Sequence, residues 1–488
     1  MADNSFRQQL KSGVFYTALA KYSGIVVSLG VTAVLSRLLT PEDFGVIAVA
    51  TVIIVFFSVF SDMGLSSAIV QKRNLTTEDY RSLFSYTVYT GIILAAIFFG
   101  ASWIIADIYD DRQLIPICQI LSAQILFQTW NIVPNGLLLH DKQFKFIGIR
   151  TFVIQLILAG ISIGAAFLGL GVYTLLINPV GGALLGFILN YMKRPSKFVF
   201  NPTFISVKKV AGYSGYTFAF SLVNYFVRNL DKLLVGKVLG LNLLGYYEKS
   251  YRLMLLPVQN LTFVITPVLH PILADFQNNI KEQWNKYAKL LRILALVGFP
   301  LSAFLYFSAN DLVLIIFGSQ WVPSVPVFQI LSLTCGIQIV GSTSGSFFMA
   351  TNNTKLMFYL CVATSIIWIG LLFVGVYGIK TLEGVAWMFT VSGFFGLLTN
   401  IPVAKIVGIT ISDVYKPYLP ALLPTAICAV ALWPIYQFTD LSLVLGLIVK
   451  IGIFMAVLIP SLQLTKTFDV ISACKNVLIR FHLLKLGV

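Results

Sequence analysis

Long apolar stretches follow one another from Val14 to Gln463, separated by short polar connections. Each holds about 20 residues or more, the length a helix needs to cross a hydrocarbon layer of about 30 Å. The alternating ten-residue segments of a membrane β-barrel do not appear. Helices are therefore the spanning elements, because a helix satisfies its backbone hydrogen bonds within one segment. The pattern predicts an all-α membrane protein of about fourteen spans, near residues 14–39, 44–68, 82–106, 114–139, 146–169, 171–192, 212–239, 243–269, 287–308, 323–349, 356–379, 382–404, 416–438 and 441–463. The first run is too long for the core of a cleavable signal and carries Lys21 and Arg37, so it is expected to stay as a span.

Composition agrees. Of 488 residues, 58% are hydrophobic and 11% charged, against about 45–50% and 25% in soluble domains. The net charge of +15 suggests a nucleic-acid partner only until the charges are mapped. Of the 34 Lys and Arg residues, 24 fall on alternate connections, which the bias of basic residues assigns to the cytoplasm. The opposite connections hold Arg37, Arg112, Lys237 and Lys380, while Lys21, Arg228, Lys232, Lys249, Arg252 and Lys450 fall inside spans. Both ends are thus expected in the cytoplasm, with an even number of spans and no nucleic-acid partner. The five cysteines and three histidines show no metal-ligand spacing and read as ordinary apolar or interfacial residues. No phosphate-binding loop for ATP is present, and no outer connection is long enough to carry a catalytic domain.

The chain repeats itself. Leu35-Ser36-Arg37-Leu38-Leu39 with Phe44-Gly45 returns as Val235-Gly236-Lys237-Val238-Leu239 with Leu244-Gly245. Gln119-Ile120-Leu121-Ser122 returns as Gln329-Ile330-Leu331-Ser332, and Lys145 as Lys355. The halves begin six spans apart, so the repeats are parallel, with their axis along the membrane normal. The expected organisation is a first six-helix lobe over 1–192, a cytoplasmic linker over 193–211, a second lobe over 212–408, two extra spans over 409–465, and a cytoplasmic tail over 466–488.

Ionisable groups at bilayer depth are costly and mark function. The seventh span carries Asn224, Tyr225, Arg228, Asn229, Asp231 and Lys232, with Arg228, Asp231 and Lys232 on one helical face. Asp231 offsets one cation and leaves one over, either to meet a phosphate in a polar cavity or, if the three neutralise each other, merely to fix packing. Lys21 in the first span either faces the same space or snorkels to the cytoplasmic surface. Asp62 and Asp231 are candidates for ion coupling, Asp62 with a capping role as its alternative. Glu248 and Arg252 read as an i, i+4 interfacial pair, and Lys450 has apolar neighbours. Gln124, Gln128 and Asn131 in the fourth span, with Gln338 in its repeat partner, are either sugar contacts or interhelical glue.

Three stretches carry a family likeness: Leu35-Ser36-Arg37-Leu38-Leu39-Thr40-Pro41-Glu42-Asp43-Phe44-Gly45; Phe60-Ser61-Asp62-Met63-Gly64-Leu65 with Ala68; and Asn229-Leu230-Asp231-Lys232-Leu233-Leu234-Val235-Gly236 running on to Leu244-Gly245-Tyr246-Tyr247 and Tyr251. Here the chain resembles the polysaccharide flippases of the multidrug/oligosaccharidyl-lipid/polysaccharide exporter superfamily, in the branch of the colanic-acid-type exporters. The resemblance implies a MATE-like fold of two six-helix lobes with spans 13 and 14 at the side. It implies alternating access for undecaprenyl-pyrophosphate-linked sugar units at a bacterial inner membrane, with membrane lipids, a polymerase and chain-length machinery as partners. It also implies a cationic lumen, which Arg228, Lys232 and Lys21 would supply, and drive by an ion gradient or membrane potential with no cofactor. A drug or cation exporter of the same fold and a membrane glycan polymerase or ligase are the alternatives.

Overall fold

The computed structural model describes residues 21–62, 65–72, 75–438 and 442–464. The first 20 residues and the predicted tail lie outside the described residues, as do the side chains of some helix positions, Lys208, Lys209 and His270 among them. Helix α1 covers residues 21–38 of the described chain. It is followed by α2 (Pro41–Asp62), α3 (Leu65–Gln71), α4 (Thr77–Tyr109), α5 (Leu114–Trp130), α6 (Ile132–His140), α7 (Phe144–Phe167), α8 (Thr174–Lys193), α9 (Phe204–Val238) and α10 (Leu241–Ala274). Then come α11 (Ile280–Phe307), α12 (Ala309–Ile316), α13 (Ser324–Ser332), α14 (Cys335–Gly341), α15 (Ser344–Ala350), α16 (Thr354–Phe373), α17 (Leu382–Leu397), α18 (Ile401–Val407), α19 (Ile411–Tyr415), α20 (Leu419–Phe438) and α21 (Leu443–Leu464). No strand occurs among the described residues.

Every predicted span overlaps a helix or a short series of helices. Among the described residues, nine helices are long and apolar enough to cross a membrane, or ten with the bent series α13–α15. Helices α9 and α10 have the length, at 35 and 34 residues, but carry the polar and charged groups that mark this part of the sequence. Helix ends follow the internal repeat: α2 begins at Pro41 and α10 at Leu241, while α5 begins at Leu114 and α13 at Ser324.

Two of the interrupted spans, related by the repeat, are interrupted for different reasons. Between α5 and α6 the helix restarts after Asn131, three residues before Pro134, whose ring has no N–H to donate and crowds the preceding turn. The repeat partner α13–α15 bends by 43° without a proline inside the bend. There the hydroxyls of Ser332, Thr334, Ser342, Thr343 and Ser344 each donate to the carbonyl three residues back, the back-bonding that bends helices.

The chain divides into two compact units, one of residues 1–248 with 316–320, the other of 249–315 with 321–488. By packing, α9 and the first turns of α10 therefore belong with the first unit, whereas the internal repeat groups them with the second half. In the first unit α5 packs against α2, α4 and α8, and α9 packs against α2, α3 and α4. Ile69, Leu83, Phe84 and Val133 lie at the centre of one of its apolar clusters. The segment 194–203 is stitched to one face of α4: the Val199 amide donates to Ser85 Oγ at 2.8 Å, and the hydroxyls of Tyr86 and Tyr89 donate to the carbonyls of Pro202 and Phe200. Asp79 closes a capping box with Thr76 and accepts from Ser206 Oγ at 2.8 Å, so it fixes the starts of α4 and α9 together.

In the second unit α11 is the central element, packed against α13, α14, α20 and α21. A Cβ on Gly298 would lie 3.1 Å from the Gly336 Cα, a close approach of α11 and α14 that small residues permit. Tyr287 and Phe347 stack at 4.7 Å beside Trp284. Spans 13 and 14, as α20 and α21, lie on α11. The expectation of apolar surroundings for Lys450 is corrected: its Nζ is 2.7 Å from Asp311 Oδ2 and donates to the Phe307 carbonyl at 3.0 Å.

Candidate functional site

Helices α9 and α10 are joined at Leu239–Gly240, where Gly240 has a φ of 99° that glycine adopts without strain. Side chains equidistant from this turn meet. Lys232 and Glu248 stand eight positions either side of Gly240, and Lys232 Nζ lies 2.7 Å from Glu248 Oε2 with both side chains mostly covered. Asp231 is buried. Its carboxylate accepts from the Tyr247 hydroxyl and from the Lys232 amide, each at 2.9 Å. Glu248 thus pairs across the turn with Lys232, where the sequence spacing suggests Arg252. The seventh span, read alone, leaves a surplus cation; counting Glu248, the two basic side chains Arg228 and Lys232 are balanced in number by two carboxylates, of which Lys232 holds one.

Arg228 differs from its neighbours. It is exposed, and its Nε donates to Asn224 Oδ1 one turn earlier at 3.2 Å. Asn229 donates to the Tyr225 carbonyl at 2.9 Å. Tyr225 is buried, with its ring 5.3 Å from Phe56, which also contacts Phe60 and Phe226. The aromatic group behind α9 holds Tyr225 and leaves the Asn224–Arg228 side of the helix accessible. Lys21, at the start of the described part of α1, is partly exposed.

The remaining candidates are spread out. Asp62 Oδ1, in the last turn of α2, accepts from the Ser66 amide of α3 at 3.2 Å. Gln128 is exposed and accepts from Ser58 at 3.4 Å, while Gln124 Oε1 is buried without a hydrogen-bond partner. Gln338 belongs to the second unit, where it donates to Thr334 Oγ1 at 3.0 Å. Asn131 accepts from Asn190 Nδ2 at 2.8 Å, and Asn135 accepts from the same group at 3.3 Å. The buried Asn190 in turn accepts from Arg150, whose other terminal nitrogen reaches Thr151.

Arg150 is thus an anchor tying α7 to α8, α5 and α6. The asparagines at 131, 135 and 190 were the available signal, since amides inside apolar helices need partners. Asn190→Leu strands Asn131, Asn135 and the Arg150 guanidinium together. It is expected to cost about 1–3 kcal/mol, read as a lowered thermal midpoint in detergent; a midpoint equal to the parent's would show that the network holds nothing.

Comparison with known proteins agrees with this architecture. The model of a family described as polysaccharide biosynthesis protein matches residues 34–326. The lipopolysaccharide biosynthesis protein WzxC of Escherichia coli (strain K12) is 26% identical over 383 residues, 76% of each chain. The succinoglycan biosynthesis transport protein ExoT of Rhizobium meliloti (strain 1021) is 22% identical over 380 residues, 77% of this chain and 76% of its own. Among solved structures, the lipid II flippase MurJ in an inward closed conformation superposes with a TM-score of 0.73 at 14% identity, covering 93% of this chain and 98% of MurJ. An inward-facing multidrug resistance MATE family transporter superposes with a TM-score of 0.60 at 15% identity, covering 78% of this chain and 95% of its own. The fold is the one seen in MurJ and in the MATE transporter, and the apolar helices make the chain a multi-pass membrane protein. Since the family match runs over more than half of the sequence, the chain belongs to the polysaccharide biosynthesis protein family.

Proposed function

We propose that this chain flips lipid-linked oligosaccharide units, with an undecaprenyl-pyrophosphate type of carrier, from the cytoplasmic to the outer leaflet of a bacterial inner membrane by alternating access. The observation that carries the reading is the exposed Arg228 guanidinium on α9, within the seventh span that the sequence predicts, in a chain of a polysaccharide biosynthesis family. A guanidinium offers a rigid fork of donors that fits a phosphate, and it has no reason to be exposed within a span unless it faces a polar space. The same cluster argues against the drug or cation exporter. Its carboxylates at 231 and 248 are occupied by Tyr247 and Lys232, so the exposed charge offered to a cargo is positive. Both ends lie in the cytoplasm in this reading, and an ion gradient or the membrane potential drives the cycle, with Asp231 and Asp62 as the carboxylates to examine for the ion.

The test is genetic and chemical. Deleting the gene is expected to remove the surface polysaccharide and to accumulate its lipid-linked repeat unit on the inner leaflet, both reversed by a plasmid copy. Unchanged surface polysaccharide in the deletion strain would overturn the proposal.

A further inference from the structure

α1 and α2 are joined at residues 39–40 and α9 and α10 at residues 239–240, connections that the charge pattern assigns to the outer side. The two turns meet within the first compact unit. A Cβ added to Gly45 would fall on the carbonyl of Leu241, and one added to Gly245 would fall on the carbonyl of Pro41. The contact is reciprocal and follows the internal repeat. Each helix start, one turn in, lays a glycine on the other's first carbonyl, and both glycines are buried.

Two flanking contacts secure it. Gln320 Nε2 donates to the carbonyls of Ser36 and, at 3.0 Å, Leu39, and Arg37 donates to the carbonyl of Ile316 at 3.1 Å. Ser36 and Leu39 lie at the end of α1, where helix carbonyls lack partners of their own. On the other side Lys237 Nζ lies 2.9 Å from Asp110 Oδ2, and Tyr109 donates to the Leu233 carbonyl at 3.2 Å. Lys237 is the repeat partner of Arg37, so two of the few basic residues on the charge-poor side hold these contacts.

We propose that this reciprocal glycine contact, with its two flanking clasps, is the outer gate of the transporter, and that the gate is asymmetric. The proposal rests on the transport reading above. Closure requires glycine at both positions, because an alanine methyl would occupy the space of a backbone carbonyl that cannot move aside alone. The clasps differ in strength. Lys237 and Asp110 are 45% and 83% exposed, and an ion pair in water between such side chains adds little. The Gln320 and Arg37 clasp is built from hydrogen bonds to helix-end and segment-end carbonyls, so it is the one that holds. The Lys237–Asp110 side therefore parts first.

Val49 reports on the gate. It is fully buried, and its Cγ2 would lie 3.2 Å from a Cβ on Gly236, beneath the crossing. Val49→Cys is labelled in intact cells with a membrane-impermeant maleimide, against the parent chain and its native cysteines as blank. Gly45→Ala and Gly245→Ala are each expected to speed labelling about ten-fold or more. Gln320→Ala is expected to speed it about five-fold, and Lys237→Gln less than about two-fold. Equal rates in all of these backgrounds, or labelling of Val49→Cys only from the cytoplasmic side, would overturn the gate; Lys237→Gln outrunning Gln320→Ala would overturn its asymmetry. Should a glycine variant fail to reach the membrane, Gln320→Ala, a change at an exposed side chain, still decides. Labelling follows motion without reference to cargo. Expected labelling in a chain whose deletion leaves surface polysaccharide intact would sink the transport reading and leave the gate standing, and the reverse pattern would sink the gate alone.

Discussion

Lys450→Met is expected to destabilise the protein by about 3–5 kcal/mol, more than the loss of the Asn190 network. The Lys450 and Asp311 side chains are 6% and 9% exposed and sit 2.7 Å apart. Removing the ammonium leaves a carboxylate without its counter-ion, in a place water does not reach. Asp311 keeps a favourable position in the first turn of α12, but a helix end offsets only part of a buried charge. The double variant Lys450→Met/Asp311→Leu is expected to recover most of the loss, because an apolar pair of similar volume commonly matches a buried ion pair. The measurement is the thermal midpoint of the detergent-solubilised chain. A single variant that melts with the parent, or a double variant no better than the single, would show that the pair does not hold α21 in place. One consequence concerns transport assays: a loss of export in a Lys450 variant reads as loss of folded protein, so this residue is unsuited as a neutral comparison for Arg228.

That pair also shows where the sequence stops being readable. Lys450 and Asp311 are 139 positions apart, and nothing local to either announces the other. Spans were legible because hydropathy is a property of one segment at a time, and the halves because matching helix starts recur in the same order, 41 with 241 and 114 with 324. The break before Pro134 was legible for the same reason, as a property of one ring in one helix. Its counterpart in α13–α15 bends through hydroxyls that the sequence shows only as polar positions in a span. Glu248 was visible, but its partner was assigned along the helix to Arg252 rather than across the turn to Lys232. Counting positions out from Gly240 finds the observed pair. Gly45 and Gly245 were read as a repeat signature; that each rests on the other helix's first carbonyl is information only packing holds. Asn131 had two readings, and its bond to Asn190 supplies the interhelical one.

Arg228→Ala is expected to lower export about ten-fold or more at matched membrane levels. A hydrogen bond to a charged group contributes about 1.5–3 kcal/mol, which is about 10- to 150-fold in binding when the site is far from saturated. The guanidinium is exposed and gives its Nε to Asn224, an arrangement that presents the end of the fork to an incoming phosphate. Arg228→Lys keeps the charge and loses the paired donors, so its export is expected between the two. Asn224→Leu removes the side chain that orients the fork, and a smaller loss is expected. Arg112→Ala, an exposed basic residue on the connection between α4 and α5, should leave surface polysaccharide unchanged. Equal export from the Arg228→Ala and Arg112→Ala chains would remove Arg228 from the cargo path. Lys232 separates charge from contact in the same experiment. Its ammonium is already satisfied by Glu248 at 2.7 Å, so Lys232→Gln is expected to act by leaving that carboxylate unpaired between α9 and α10. Its defect should therefore appear as lost folded protein, whereas that of Arg228→Ala should appear in export with the protein level intact.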